Sequence, residues 1–157
     1  MTRSTLVVPA ALLASSLHVI ALAQGVKPRP QDTDWVAPAE EKARTSPVGK
    51  SPEALERGRK LYLKHCSDCH GQKGKGDGPL ARLHAQRTLR PPYDLTGSEV
   101  QSFLSDGEIF WKVTVGYRKA DKVIMPAYKV PIPADEDRWR VVQFVRTLGP
   151  ERVQVLN

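Results

Sequence analysis

The sequence predicts an all-α domain with long loops, on two observations. Segments 51–65 and 135–148 set apolar residues along one side at helical spacing, the first behind a clear start signal and the second ahead of a clear stop. Between them, glycine and proline interrupt the chain too often for long strands.

The chain has 157 residues, 40% of them hydrophobic. That size suggests one small domain with appendages, whose core often needs a staple such as a metal or cofactor. Twenty-four Lys and Arg against 17 Asp and Glu give a net charge of +7. A basic balance suits acidic protein partners, nucleic acid or anionic membrane surfaces. Nucleic acid is set aside, because no dense basic run with interleaved aromatics and no nucleic-acid module is present. The positive charges are spread over many segments and read as solvated surface.

Arg3 is the only charge before Lys27, and residues 6–23 are almost wholly apolar or small, ending in Ala21-Leu22-Ala23. This describes a secretory signal peptide over residues 1–23, cleaved just after Ala23, with the folded part in the periplasm. An uncleaved N-terminal anchor is the alternative. The stretch is near the lower length limit for a membrane span, and His18 interrupts it. Residues 24–50 read as a Pro-rich, disordered linker, interrupted by Pro28, Pro30, Pro38 and Pro47. Trp35, its one large apolar residue, is read either as docking that tail on the domain or a partner, or as simply exposed. The domain is expected over 51–157.

Ser51-Pro52-Glu53 supplies a hydroxyl N-cap, a proline in the first turn and an acid near the positive helix end. Leu55, Gly58, Leu61 and Tyr62 fall on one face of this helix, which runs into Cys66. Four glycines between Gly71 and Gly78 mark a loop, and 80–89 has room for a helical turn. Pro91 and Pro92 forbid regular structure, and 98–105 reads as a short helix. Segment 106–116 begins like a helix, although β-branched and aromatic residues over 109–115 make strand a fair alternative. Residues 117–134, with Pro126, Pro131 and Pro133, are expected to form a loop. The last helix runs from about Asp135 to Leu148, acids at its start and Arg146 near its end, and Gly149-Pro150 stops it.

The only two cysteines are Cys66 and Cys69, in Cys66-Ser67-Asp68-Cys69-His70. The C-x-x-C-H spacing reads as covalent attachment of one haem c (heme c). Two thiols three residues apart on a helical turn can each add to a vinyl group of one porphyrin, and the next residue then reaches the iron through its imidazole. A zinc site would want a second ligand pair, and only His65 and His84 remain in the domain. A thioredoxin-like pair would want a βαβ context. A disulfide across two residues would close a tight loop of little structural value.

A sixth iron ligand is expected in an electron carrier, and a thioether suits one because it raises the potential. Met125, in Met125-Pro126-Ala127-Tyr128, is the only methionine besides the initiator. A buried gap-filling role is the bland alternative, but a loop beside proline is a poor place for it. His84 is the rival ligand, and His65 is badly placed directly before Cys66.

These residues together resemble a class I cytochrome c over Ser51 to Leu148, especially the small bacterial kind. There C-x-x-C-H-G is followed by G-x-G-D-G-P, here Gly74-Lys75-Gly76-Asp77-Gly78-Pro79. The resemblance implies a small helical domain wrapped around one covalent haem, with 106–116 helical. It implies that the Pro79 carbonyl accepts a hydrogen bond from His70, that Met125 is the distal ligand, and that metal binding rests on His70 and Met125. It further implies that Gly58 and Tyr62 pack against Trp139 with Val142 or Phe144. Asp106-Gly107-Glu108-Ile109-Phe110, the Met125 stretch and Asp137-Arg138-Trp139 are also similar to the monohaem subunit of alternative complex III. Pro91-Pro92-Tyr93-Asp94-Leu95 resembles a segment along one haem edge, and Tyr93, Trp111, Arg82 and Arg90 are candidates to meet the haem propionates.

The function these readings imply is electron transfer rather than enzyme catalysis, between exported or membrane-bound redox proteins with an acidic docking surface. The alternatives are an electron-entry subunit of a larger respiratory complex, with membrane-complex association, and a haem enzyme or gas sensor if Met125 leaves the iron.

Overall fold

The computed structural model describes residues 35–150, and the expected signal peptide lies outside them. Six α-helices, a π-helical turn and one short hairpin make up the described chain: α1 (Ala39–Lys42), α2 (Pro52–His65), α3 (Ser67–His70), α4 (Ala81–Thr88), the π turn (Glu99–Phe103), α5 (Asp106–Val115), β1 (Tyr117–Lys119), β2 (Lys122–Met125) and α6 (Asp135–Thr147).

Helix α2 starts where its sequence signal lies: the Ser51 hydroxyl accepts from the Ala54 amide at 3.2 Å. It buries Gly58, Leu61 and Tyr62 against α6, which buries Trp139, Val141, Val142 and Val145. The helices meet at Gly58, where a Cβ would stand 2.1 Å from the Arg140 carbonyl oxygen. Tyr62 packs on Phe144 with ring centres 5.1 Å apart. Trp139, expected against Tyr62, instead stacks on Phe110 of α5 at 4.2 Å. Helix α5 thereby joins the crossing as a third layer of the core. Segment 106–116 is helical: the Ser105 hydroxyl accepts from the Glu108 amide, so the cap outweighs the β-rich composition that follows.

Two further expectations fail. Residues 117–134 are not all loop: β1 and β2 pair antiparallel, with Arg118 opposite Val123 and Lys119 opposite Lys122. The turn uses Ala120 at φ 52, a left-handed conformation that no glycine announces. Nor is the C-terminal half of the expected linker free of structure. Residues 35–50 form a strap that packs on α5, and Ala37 is buried. The strap has no apolar period because side chains from the core satisfy its backbone instead. The Ser105 hydroxyl donates to the Lys42 carbonyl at 2.8 Å, and Gln143 donates to the Val48 carbonyl at 2.6 Å. Arg44 lies 4.4 Å from the centre of the Phe110 ring. At Gly107 a Cβ would sit 2.0 Å from the Glu41 carbonyl oxygen. The folded unit therefore begins ahead of Ser51.

Candidate functional site

The site is built where α2 breaks. The Cys66 amide donates to the Tyr62 carbonyl at 2.8 Å, and α3 continues as one tight turn, with the His70 amide on the Cys66 carbonyl at 2.9 Å. Both thiols and the imidazole thus come from two successive turns. The glycine-rich loop folds back under them. The amides of Gly76, Gly78 and Leu80 donate to the carbonyls of His70, Cys69 and Asp68 at 2.8, 3.2 and 2.8 Å, satisfying the end of α3. The glycine run is thus a clamp on the Cys69–His70 backbone.

Cys66, Cys69, His70 and Met125 all line one cavity of about 340 Å³, which the fold surrounds with Tyr62, Val100, Ile109, Val113, Val141 and Val145. Met125 ends β2. Gly116, at φ 66, lets the chain pass it closely: a Cβ there would lie 2.5 Å from the Met125 carbonyl oxygen.

His70 Nδ1 lies 3.0 Å from the Tyr93 carbonyl oxygen. This corrects the expectation for Pro79, which is exposed and does not line the cavity. Tyr93 reaches His70 because the Leu95 amide is pinned to the Gly74 carbonyl at 2.6 Å, drawing segment 91–95 across the glycine loop. A carbonyl only accepts, so Nδ1 carries the proton and Nε2 keeps its lone pair, the tautomer an iron ligand needs. Burial, the largest influence, pushes the His70 pKa down, and the nearby His84 adds to this, while the Tyr93 bond opposes it. The neutral, ligating form therefore prevails at pH 7.

Burial pushes the Cys66 thiol up to about 12 and Cys69 also above the usual range. Both stay as thiols, and they are not joined to each other. Among the described residues no group of three or more His, Cys, Asp or Glu is placed to hold a metal ion. Two thiols, one imidazole with a fixed tautomer and one thioether around an apolar cavity fit a covalently held haem.

Of the other candidates, Arg90, Tyr93 and His84 line the cavity, while Trp111 and Arg82 do not. His65 is held away from it, its ring edge-on to Tyr128 at 6.0 Å. The Tyr128 hydroxyl donates to the His65 carbonyl at 2.6 Å, and the Tyr62 hydroxyl to the Gly71 carbonyl at 2.7 Å. Burial raises both phenols' pKa values, so they remain donors. Sequence reasoning missed Tyr93 as the His70 acceptor, because a backbone carbonyl leaves no side-chain signature. It also missed Trp35, Lys112 and Tyr117 on the cavity wall.

The charge, spread along the sequence, gathers in space. Segments 79–92 and 117–125 carry Arg82, Arg87, Arg90, Arg118, Lys119 and Lys122 against Asp121 alone, while the rest of the described chain is nearly balanced. Helix α4 and β2 share a surface cleft lined by Cys69, Leu80, Leu83, His84, Arg87, Thr88, Lys122 and Val123. Cys69 and His84 belong to the main cavity too, so this basic face abuts the site.

A family model for cytochrome c matches residues 55–149. Among solved structures, the chain is similar to a chain of the Kuenenia stuttgartiensis reducing HAO-like protein complex Kustc0457/Kustc0458, with 25% identity and a TM-score of 0.54, covering 66% of this chain and 47% of that one. The present chain thus spans about half the length of that neighbour. It also matches the KustC0563 c-type cytochrome at 26% identity and a TM-score of 0.48, over 59% of this chain and 98% of that one. Comparison with curated proteins finds no match.

Proposed function

The chain belongs to the cytochrome c family, and from that premise we propose that it is a carrier of single electrons using one haem c, with Cys66 and Cys69 as the attachment points and His70 and Met125 as the axial ligands. The haem supplies the one-electron chemistry, and the protein supplies orientation, potential and a docking surface. The observation that carries this reading is the meeting of both thiols, the oriented imidazole and the only described methionine on one cavity. Were His70 and Met125 both to hold the iron, no position would be left open to a substrate, which favours a carrier over an enzyme or gas sensor. The single C-x-x-C-H sequence supports one haem.

The partner in this reading is a redox protein with an acidic face, met by the basic surface of α4 and the hairpin. Export to the periplasm belongs to the same proposal, because the N-terminal sequence has the form of a signal peptide and the thioether bonds need an exported assembly site. Sequencing the N-terminus of the mature protein tests the cleavage after Ala23. A second reading, a subunit held in a larger complex, draws support from the HAO-like complex to which one structural neighbour belongs.

Carbon monoxide addition to the reduced, haem-loaded protein tests the carrier reading. A six-coordinate, low-spin spectrum with no rapid binding is expected, and rapid binding by the native protein overturns it.

A further inference from the structure

Residues 35–50 precede the span matched to the family, yet Trp35 reaches the cavity wall. Its indole Nε1 donates to the Gly116 carbonyl at 2.9 Å, and its ring stacks on Tyr117 with centres 4.8 Å apart and 14° between the planes. The Lys112 ammonium donates to the Trp35 carbonyl at 2.5 Å and lies 4.1 Å from the centre of the Trp35 ring. The Arg90 guanidinium lies 5.8 Å from the centre of the Tyr117 ring. Arg90, Tyr117, Trp35 and Lys112 thus form one run on the wall, with a cation at each end of an aromatic pair.

Among the described residues, Arg90 and Lys112 are the Lys and Arg that line the cavity, and Glu99 the carboxylate. Behind the wall, the buried Glu108 lies 3.3 Å from Lys112 Nζ and 3.9 Å from Lys42 Nζ, so two ammonium groups face one carboxylate. A haem is an apolar disc with two carboxylates. Taking those carboxylates from water without partners is strongly unfavourable, and charge-assisted hydrogen bonds offset it. The apolar wall would accommodate the disc, and the two cations would be placed to meet its carboxylates.

We propose that the strap is a working part of the haem site: Trp35 holds the Lys112 ammonium on the cavity wall, and Lys112 and Arg90 receive the two haem propionates. This rests on the haem reading above and assigns the residues before the family span a role in setting the potential. A positive charge beside the haem disfavours its oxidised state, so Lys112 raises the midpoint potential.

The test uses the full-length, haem-loaded protein and reads the midpoint potential beside the absorption spectrum. Lys112→Met and Trp35→Ala are expected to lower the potential while the spectrum stays low-spin. Lys112→Arg and Trp35→Phe are expected to stay near the parent. Ser46→Ala, on the strap but off the cavity wall, is expected to leave the potential unmoved. Should Lys112→Met fail to load haem, the Trp35→Ala and Trp35→Phe pair decides. Unshifted potentials in Lys112→Met and Trp35→Ala overturn the proposal, as does an equal shift in Ser46→Ala. Loss of the low-spin spectrum in the parent itself would instead sink the six-coordinate haem reading, and this proposal with it.

Discussion

Two of the close backbone approaches in the fold, at Gly58 and at Gly107, are held differently. At the α2–α6 crossing Gly58 lets two amphipathic helices meet, and the contact is made by buried apolar surface: Leu61, Tyr62, Val141, Val142 and Phe144. At the strap Gly107 lets a nearly period-free segment lie on α5, and the contact is made by side chains of the core reaching backbone carbonyls of Trp35, Lys42 and Val48. A segment with little apolar content thus becomes part of a fold when the core satisfies its polar backbone. The first contact holds the domain together, and the second shapes the wall of its cavity.

Mutations at the two glycines separate these roles. Gly58→Val drives a side chain into the Arg140 carbonyl and must part the helices. A loss of about 3 kcal/mol is expected in denaturant unfolding, enough to abolish haem loading in a marginal domain. Gly107→Ala meets the Glu41 carbonyl instead. It is expected to cost about 1–2 kcal/mol, keep the helical circular dichroism, and expose residues 35–50 to limited proteolysis. A Gly107→Ala protein that resists cleavage at the strap would remove the distinction.

Surface charge divides along similar lines. Arg59 and Lys60 on α2 pair with Glu56, whereas no ion pair links Arg82, Arg87, Arg118 or Lys122 to a described carboxylate. Arg87→Glu with Lys122→Glu is expected to slow association with an acidic redox partner roughly tenfold at low salt, with stability changed by less than about 0.5 kcal/mol. Lys60→Glu should leave the rate nearly unchanged. Equal effects at both places, measured by stopped flow across ionic strength, would deny the basic face its role.

The smallest effect is electrostatic. Arg57 reaches from α2 to Asp137 on α6 at 2.6 Å, and that hydrogen bond, with help from Arg140, holds the Asp137 carboxyl below its usual range. A carboxylate with a depressed folded pKa stabilises the protein above its unfolded pKa, and that contribution is lost as pH falls through the folded value. Asp137→Asn is therefore expected to weaken the fold by less than about 1 kcal/mol at pH 7 and to flatten the acid limb of the stability–pH curve. An unchanged acid limb would show the pair to be idle.

Legibility in the sequence follows the same physics. Helix α2 carries its own serine cap and α6 its acidic first turn, each has an apolar period, and the Cys66–His70 spacing is local, so all could be read from the chain. The hairpin turns on Ala120 rather than glycine, and the strap is fixed by Ser105, Lys112 and Gln143, between 63 and 95 residues away in sequence. Tyr93 acts on His70 through its carbonyl, a group every residue has. Long-range satisfaction of backbone groups leaves no local pattern to read.

The central claim is that His70 and Met125 together hold the iron. The most direct measurement is the oxidised absorption spectrum of the haem-loaded protein beside that of Met125→Ala. A weak charge-transfer band near the red end is expected in the parent and its loss in the variant, with carbon monoxide then binding rapidly once reduced. A band absent from the parent, or unchanged in Met125→Ala, would contradict it.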